Sequence, residues 1–156
     1  MAELFVEILG KPHGIIVFQL LAAARFTIYL SLIAFIGGGA VACIITLLRI
    51  SKFSALEKFA ATFIWVFQSV PLLMLLFLIG LGMPGLLDIN IDPWTAATCA
   101  LVLFTSAYLA EVWRGAVESV AKGQWEASYA LNIKYSLLLR KVILPRAIKF
   151  GIAPTV

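Results

Sequence analysis

The sequence predicts an all-α fold, a polytopic bundle of transmembrane helices, on three observations. Of the 156 residues, 63% are apolar and only 13% are charged, against about a quarter charged in soluble domains. The apolar residues gather in uncharged runs long enough to cross a bilayer, and the basic residues sit beside the ends of those runs. Mean hydropathy is +1.05. A water-soluble core of this size does not need so much apolar sequence, and the same figures exclude disorder. The net charge of +4 forms no basic stripe that would track nucleic acid. Cys43 and Cys99 lie inside apolar runs, so there is neither a disulfide framework nor a metal-spaced pair.

Three spans follow. Residues 26–48 form an uncharged run bracketed by Arg25 and Arg49, roughly 34 Å long as a helix. Residues 59–81 form a second, interrupted by Gln68, Ser69 and Pro71, and residues 94–113 a third, uncharged until Glu111. Between the last two, Gly82 to Pro93 is rich in Gly and Pro, carries Asp88 and Asp92, and reads as a turn-forming loop. Lys and Arg concentrate between spans one and two (Arg49, Lys52, Lys58) and throughout the loop 114–148. The positive-inside rule makes both cytoplasmic and puts the N-terminus outside.

The ends carry separate expectations. Ile15 to Ala24 could be the core of a signal peptide, but Glu3 and Glu7 stand where a signal needs basic residues. An interfacial helix feeding span one is the better reading. After Leu144 the chain turns apolar again through Phe150, Ile152 and Val156. That stretch is too short to cross and reads as the start of a fourth span in a chain truncated at its C-terminus.

Polar and small residues within the spans suggest roles. Ala34, Gly38 and Ala42 follow each other at four-residue spacing on one face of span one, a register that lets another helix come close. Gln68, Ser69 and Pro71 put two polar side chains and a helix breaker near mid-membrane. They either line a cavity or form a kink bonded to neighbouring helices. Tyr108, Glu111 and Arg114 end span three. Glu111 either faces a polar path or is locked by Arg114 three residues on, with Glu118 a further partner. These six residues, Gln68, Ser69, Pro71, Tyr108, Glu111 and Arg114, are the candidate lining of a translocation path. No catalytic set and no metal site is legible: His13 is the one histidine, and there is no Ser-His-Asp constellation.

The loop 114–148 is too patterned to be a tether. Glu126 to Leu131 predicts a short helix with Trp125 and Tyr129 four apart on one side. Asn132 is placed to close it in the left-handed conformation. Leu137 to Leu144 predicts a second short helix that stops before Pro145.

These residues resemble the membrane-spanning permease subunits of ATP-binding cassette importers, in particular those for polar amino acids. Glu126-Ala127-Ser128, Asn132 and Ile143-Leu144-Pro145 fall at the spacing of that family's Glu-Ala-Ala loop. Ala107 to Glu111, Arg114-Gly115, Glu118 to Val120 and Lys122-Gly123-Gln124 resemble its amino-acid branch. Asn132 stands where the family has Gly, Ser128 replaces the second Ala, and Gln68 replaces a basic residue.

The resemblance implies that Gly123, Trp125, Glu126, Ala127, Ser128, Tyr129 and Asn132 couple the spans to a cytoplasmic ATPase. Trp125 and Tyr129 would anchor in its groove, and Glu126 would meet a basic residue there. It implies further partners: a second permease subunit, an external solute-binding protein, and the lipid of a bacterial inner membrane. The chain itself is expected to hold no cofactor, ATP and magnesium being bound by the ATPase, and to be no enzyme. Members normally carry two more spans after this loop. A stand-alone helical channel or secondary carrier using Gln68 and Glu111, or a structural membrane subunit, are the rival readings.

Overall fold

The structure, a computed structural model, describes residues 11–155; Glu3 and Glu7 lie outside the described residues. Among those described every regular element is helical. Helix α1 is Lys11–Arg49. Helix α2, Ser54–Ser69, is separated by Val70 and Pro71 from α3, Leu72–Phe77, which runs through a wide turn, Leu78–Gly82, into α4, Met83–Leu87. Helix α5 is Pro93–Glu118 and α6 is Lys122–Ala130. Helix α7, Tyr135–Leu138, passes through a second wide turn, Leu139–Ile143, into α8, Leu144–Thr155.

Helices α1 and α5 lie side by side and run parallel, as three successive contacts along them show. The rings of Phe26 and Trp94 are 5.5 Å apart near one end. At mid-length, a Cβ placed on Gly38 would lie 2.8 Å from the Cβ of Thr105. Towards the other end, the Thr46 hydroxyl donates to the carbonyl of Ala110 at 3.3 Å. Ala34 and Ala42 are buried on the same seam, so the small-residue register expected from the sequence is the α1–α5 contact. Because the two helices are parallel, the segment α2 to α4 returns the chain from the Arg49 end to the Trp94 end. It does so with a 98° bend at Val70-Pro71. Two helices are candidate spans on their own, and the bent pair supplies a third if taken as one crossing.

Helix α5 is the common wall of three buried clusters. Ala96 and Ala100 meet Leu75 and Ile79 of the bent segment. Leu109 and Ala110 meet Ala42 and Ile45 of α1 and Ala60 and Ile64 of α2. Ala116 and Val117 meet Val120, Leu138, Ile143 and Ala147 below the spans. Large apolar side chains such as Ile36, Trp65 and Leu86 face outward, the arrangement suited to lipid, which gives no reason to bury them.

Three expectations are corrected, and the break read at Pro71 takes a definite geometry. The segment ahead of Phe26 is an unbroken extension of the first span, since α1 runs from Lys11 to Arg49. The second span is not straight, because Pro71 lacks an amide hydrogen and Val70 before it takes extended geometry, φ −97° and ψ 122°. The stretch Gly82 to Pro93 is partly helical; Asp88 ends α4 in the left-handed region at φ 52°, and the Asp92 carboxylate accepts from the amides of Trp94 and Thr95 to start α5.

Finally, the helix after Leu137 does not stop before Pro145. The amide of Leu144 bonds the carbonyl of Leu139, five residues back, and that of Met83 bonds Leu78 in the same way. Each wide turn therefore ends two residues before a proline, Pro145 or Pro84. A turn enlarged by one residue moves the carbonyl with which the proline ring would collide, and the helix continues.

Candidate functional site

The loop between α1 and α2 meets the segment after α5 at one end of the molecule, which brings the two basic regions of the sequence together. The Tyr135 hydroxyl donates to the carbonyl of Ile50 at 2.7 Å, and Lys52 Nζ stands 4.4 Å from the centroid of the Tyr135 ring. Arg49 donates to Glu57 at 2.7 Å. Ile50 also packs on the cluster under α5, together with Trp125 and Ile133. Burial, with a smaller contribution from Tyr129, holds the Tyr135 phenol above its ordinary pKa.

Helix α6 has a well-made end. Asn132 adopts φ 51°, its amide bonds the carbonyl of Tyr129 at 3.0 Å, and the Ile133 amide bonds that of Ser128 at 3.0 Å. This paired closure needs a left-handed residue, which Gly supplies without strain and Asn tolerates. Replacement Asn132→Gly is therefore expected to leave thermal stability equal or slightly raised. Asn132→Val should lower it by about 1–2 kcal/mol, because a β-branched residue is strained there; a melting series in detergent reads both.

The closure fixes which way α6 faces. Ser128 is buried, its hydroxyl donating to the Gln124 carbonyl at 2.7 Å. Trp125, one turn before it, is partly buried against the cluster of Val120, Leu138 and Ile143. Gly123, Glu126, Ala127, Tyr129 and Asn132 are exposed. The seven predicted coupling residues thus divide: five face outward, while Trp125 and Ser128 hold the helix onto its own subunit. The Trp125 ring, expected from the sequence to anchor in a partner, lies partly buried on the apolar cluster beneath α5, a surface within the chain. Leu131, 73% exposed, joins Tyr129 as the outward apolar element and was not singled out in the sequence. An apolar residue at the end of a predicted helix was the available signal.

The six predicted path residues also divide. Gln68 Nε2 donates to the Ala107 carbonyl at 3.4 Å, tying α2 to α5 beside Tyr108. Ser69 is exposed and donates to the Trp65 carbonyl of its own helix at 2.6 Å. Pro71 sits at the break between α2 and α3. Tyr108 is exposed and its ring lies 4.6 Å from that of Phe104. Arg114 Nε donates to Glu111 at 2.9 Å and pairs with Glu118 as well. Both interactions take the places expected at three- and four-residue helical spacing. Gln68 thus bonds a neighbouring helix at the break, whereas Ser69 bonds its own. Among the described residues no three of His, Cys, Asp and Glu come together as a metal site.

These features define a class: a helical membrane protein whose parallel candidate spans are tied at one end to a short, cap-stabilised helix with an exposed face. Residues 38–156 match the family model for the binding-protein-dependent transport system inner membrane component, and the chain belongs to that family. It is 35% identical over 129 residues to the "Probable amino-acid ABC transporter permease protein YckA" of Bacillus subtilis, covering 83% of this chain and 57% of that protein. It is 36% identical over 129 residues to the L-cystine transport system permease protein TcyB of the same organism, covering 83% and 55%. Among solved structures, the crystal structure of an amino acid ABC transporter with histidines superposes with a TM-score of 0.82 at 30% identity, over 91% of this chain and 67% of that one. The chain thus spans a little over half the length of the curated relatives it matches.

Proposed function

We propose that this chain is the permease subunit of an ATP-binding cassette importer for a polar amino acid. In this reading a cytoplasmic ATPase grips the exposed face of α6, at Glu126, Tyr129 and Leu131. The observation that carries it is the division of α6 into an inward side, Trp125 and Ser128, and an outward side with Tyr129 59% exposed. An aromatic and a Leu held rigidly outside the lipid, with one carboxylate beside them, suit a partner groove with a basic residue.

The remaining partners of the reading are a second permease subunit and an external solute-binding protein that delivers the amino acid. The loops 50–53 and 119–148 face the cytoplasm of a bacterial cell, and the N-terminus lies outside. ATP with magnesium is bound and hydrolysed by the ATPase and not by this chain, which would carry no cofactor of its own. Closure of the ATPases moves α6, and the movement biases the spans towards one state only if the partner prefers that state. Gln68, Tyr108, Glu111 and Arg114 would then lie along or beside the path, with Ser69 and Pro71 allowing α2 and α3 to flex against each other.

Co-purification with the ATPase subunit tests the reading. It should survive in the unaltered protein and vanish in Glu126→Arg combined with Tyr129→Ala. If both association and amino-acid uptake withstand that pair of changes, α6 is not the handle.

Within this reading the Tyr135 bond to Ile50 passes the movement of α6 to the end of α1. Tyr135→Phe keeps the ring under Lys52 and removes only the hydroxyl. It should lower stability by about 1 kcal/mol and reduce uptake per ATP hydrolysed while ATPase association persists. The phenol must be neutral to donate this bond, and its raised pKa marks a contribution that is full below the ordinary tyrosine value of about 10 and lost as pH rises through the folded value. Stability of the unaltered protein should therefore fall more steeply than that of Tyr135→Phe in alkaline melts.

A further inference from the structure

Helix α8 packs antiparallel on the end of α5. Trp113 Nε1 donates to the Thr155 hydroxyl at 3.0 Å, a Cβ on Gly151 would lie 3.3 Å from that of Ala116, and Ala147 joins the cluster of Val117 and Val120. This ladder puts residues 146–150 at the depth where α5 ends, Glu118 to Val120, the boundary between the apolar span and the basic segment. At that depth a cavity of about 490 Å³ opens between the turn Ser119 to Ala121 and the α8 residues Arg146, Lys149 and Phe150.

The chemistry of this cavity is two-sided. Arg146 and Lys149 are one helical turn apart, and neither takes part in an ion pair: among the described residues the pairs are Arg49 with Glu57, and Arg114 with Glu111 and Glu118. The hydrogen of the Ser119 hydroxyl is committed to the Ala116 carbonyl at 2.8 Å, so the two cations supply the attraction for an anion. Val120, which is buried, and Phe150, which is 59% exposed, give the same cavity an apolar side.

We propose that this cavity binds the phosphodiester headgroup of an anionic membrane lipid, with Arg146 and Lys149 on the phosphate and Phe150 against the start of an acyl chain. Unpaired bases in a pocket between membrane helices at the interface are the arrangement that recognises such headgroups. A free phosphate would satisfy the cations and leave Phe150 unused. The site is independent of the docking face on α6.

Native mass spectrometry of the full chain released from detergent tests it, with phosphatidylglycerol and phosphatidylcholine of identical acyl chains as probes. The unaltered protein should retain phosphatidylglycerol preferentially. The preference should fall roughly fivefold for each cation removed in Arg146→Gln and Lys149→Gln. A charge-matched control, Arg140→Gln with Lys141→Gln, should keep it. Equal loss in the control, or retention in the cavity variant, overturns the proposal. So does displacement by millimolar inorganic phosphate as effective as that by the lipid, which marks a small-anion site. Should the cavity variant fail to fold, the unaltered protein decides. Phosphatidylglycerol with a photoreactive headgroup is expected to label residues 119–121 or 146–150, and labelling spread evenly over the other basic loops contradicts the site.

Discussion

Gly38→Leu is expected to prevent the first span from seating on α5 and to give the largest loss of folded protein of any single change in the spans. A Cβ at this position already falls 2.8 Å from Thr105 Cβ and 3.3 Å from the Ser106 backbone nitrogen. A leucine adds three further carbons to a contact with no space for one. Overpacking a tight site costs about 1–3 kcal/mol or more, and here the backbone on the far side cannot turn aside as a flexible side chain would. Lipid offers α1 no alternative driving force for association, so close van der Waals contact and interhelical bonds such as Thr46 to Ala110 have to hold the pair. The yield of monodisperse protein after detergent extraction, and its melting midpoint, read the effect. Gly38→Ala should be intermediate. Gly39→Ala should be close to neutral, because the nearest atom to its Cβ is the tip of Trp113 at 3.9 Å. Equal behaviour of Gly38→Leu and the unaltered protein would remove the α1–α5 seam from the description.

Trp125→Ala and Tyr129→Ala are expected to separate stability from partner binding within a single helical turn. Trp125 rests on the cluster of Val120, Leu138 and Ile143, so its truncation should destabilise the segment after α5 by about 2–3 kcal/mol, less than for a fully buried aromatic. Trp125→Phe should recover most of the loss. Tyr129 is 59% exposed; its truncation should leave the melting curve within about 0.5 kcal/mol of the unaltered protein. If it is the aromatic anchor proposed above, its loss should nevertheless weaken ATPase association by about 2 kcal/mol, roughly thirtyfold. Melting curves and titration of the ATPase subunit measure the two effects on the same preparations. Had Trp125 been the partner's anchor, the two phenotypes would be exchanged.

Much of the fold was legible because its causes are local. Uncharged length marks a span, four-residue spacing of Ala34, Gly38 and Ala42 marks a packing seam, and Asn132 after a short amphipathic stretch marks a helix end. The pairs of Arg114 with Glu111 and Glu118 follow from helical spacing alone. What was not legible depends on context. Proline at 145 reads as a stop, yet a turn widened by one residue ahead of it lets the helix continue, and no local signal distinguishes the two outcomes. Trp125 and Tyr129 are equally plausible anchors by type; only the position of the cluster under α5 turns one inward. The bond from Tyr135 to Ile50 spans residues far apart in the chain and joins a side chain to a main-chain carbonyl, which leaves no mark in composition or periodicity. Pro71 announced a break, but its 98° angle goes with the packing of Leu75 of α3 and Ile79 of the wide turn on Ala96 and Ala100.

The most direct measurement places a photoreactive amino acid at position 129, and separately at 125, in the full chain in living cells, followed by identification of the adducts. A covalent adduct with a cytoplasmic ATPase from position 129, and intramolecular adducts from position 125, are the predicted outcome. Adducts from position 129 to lipid alone would show that the outward face of α6 rests on the membrane and grips no partner.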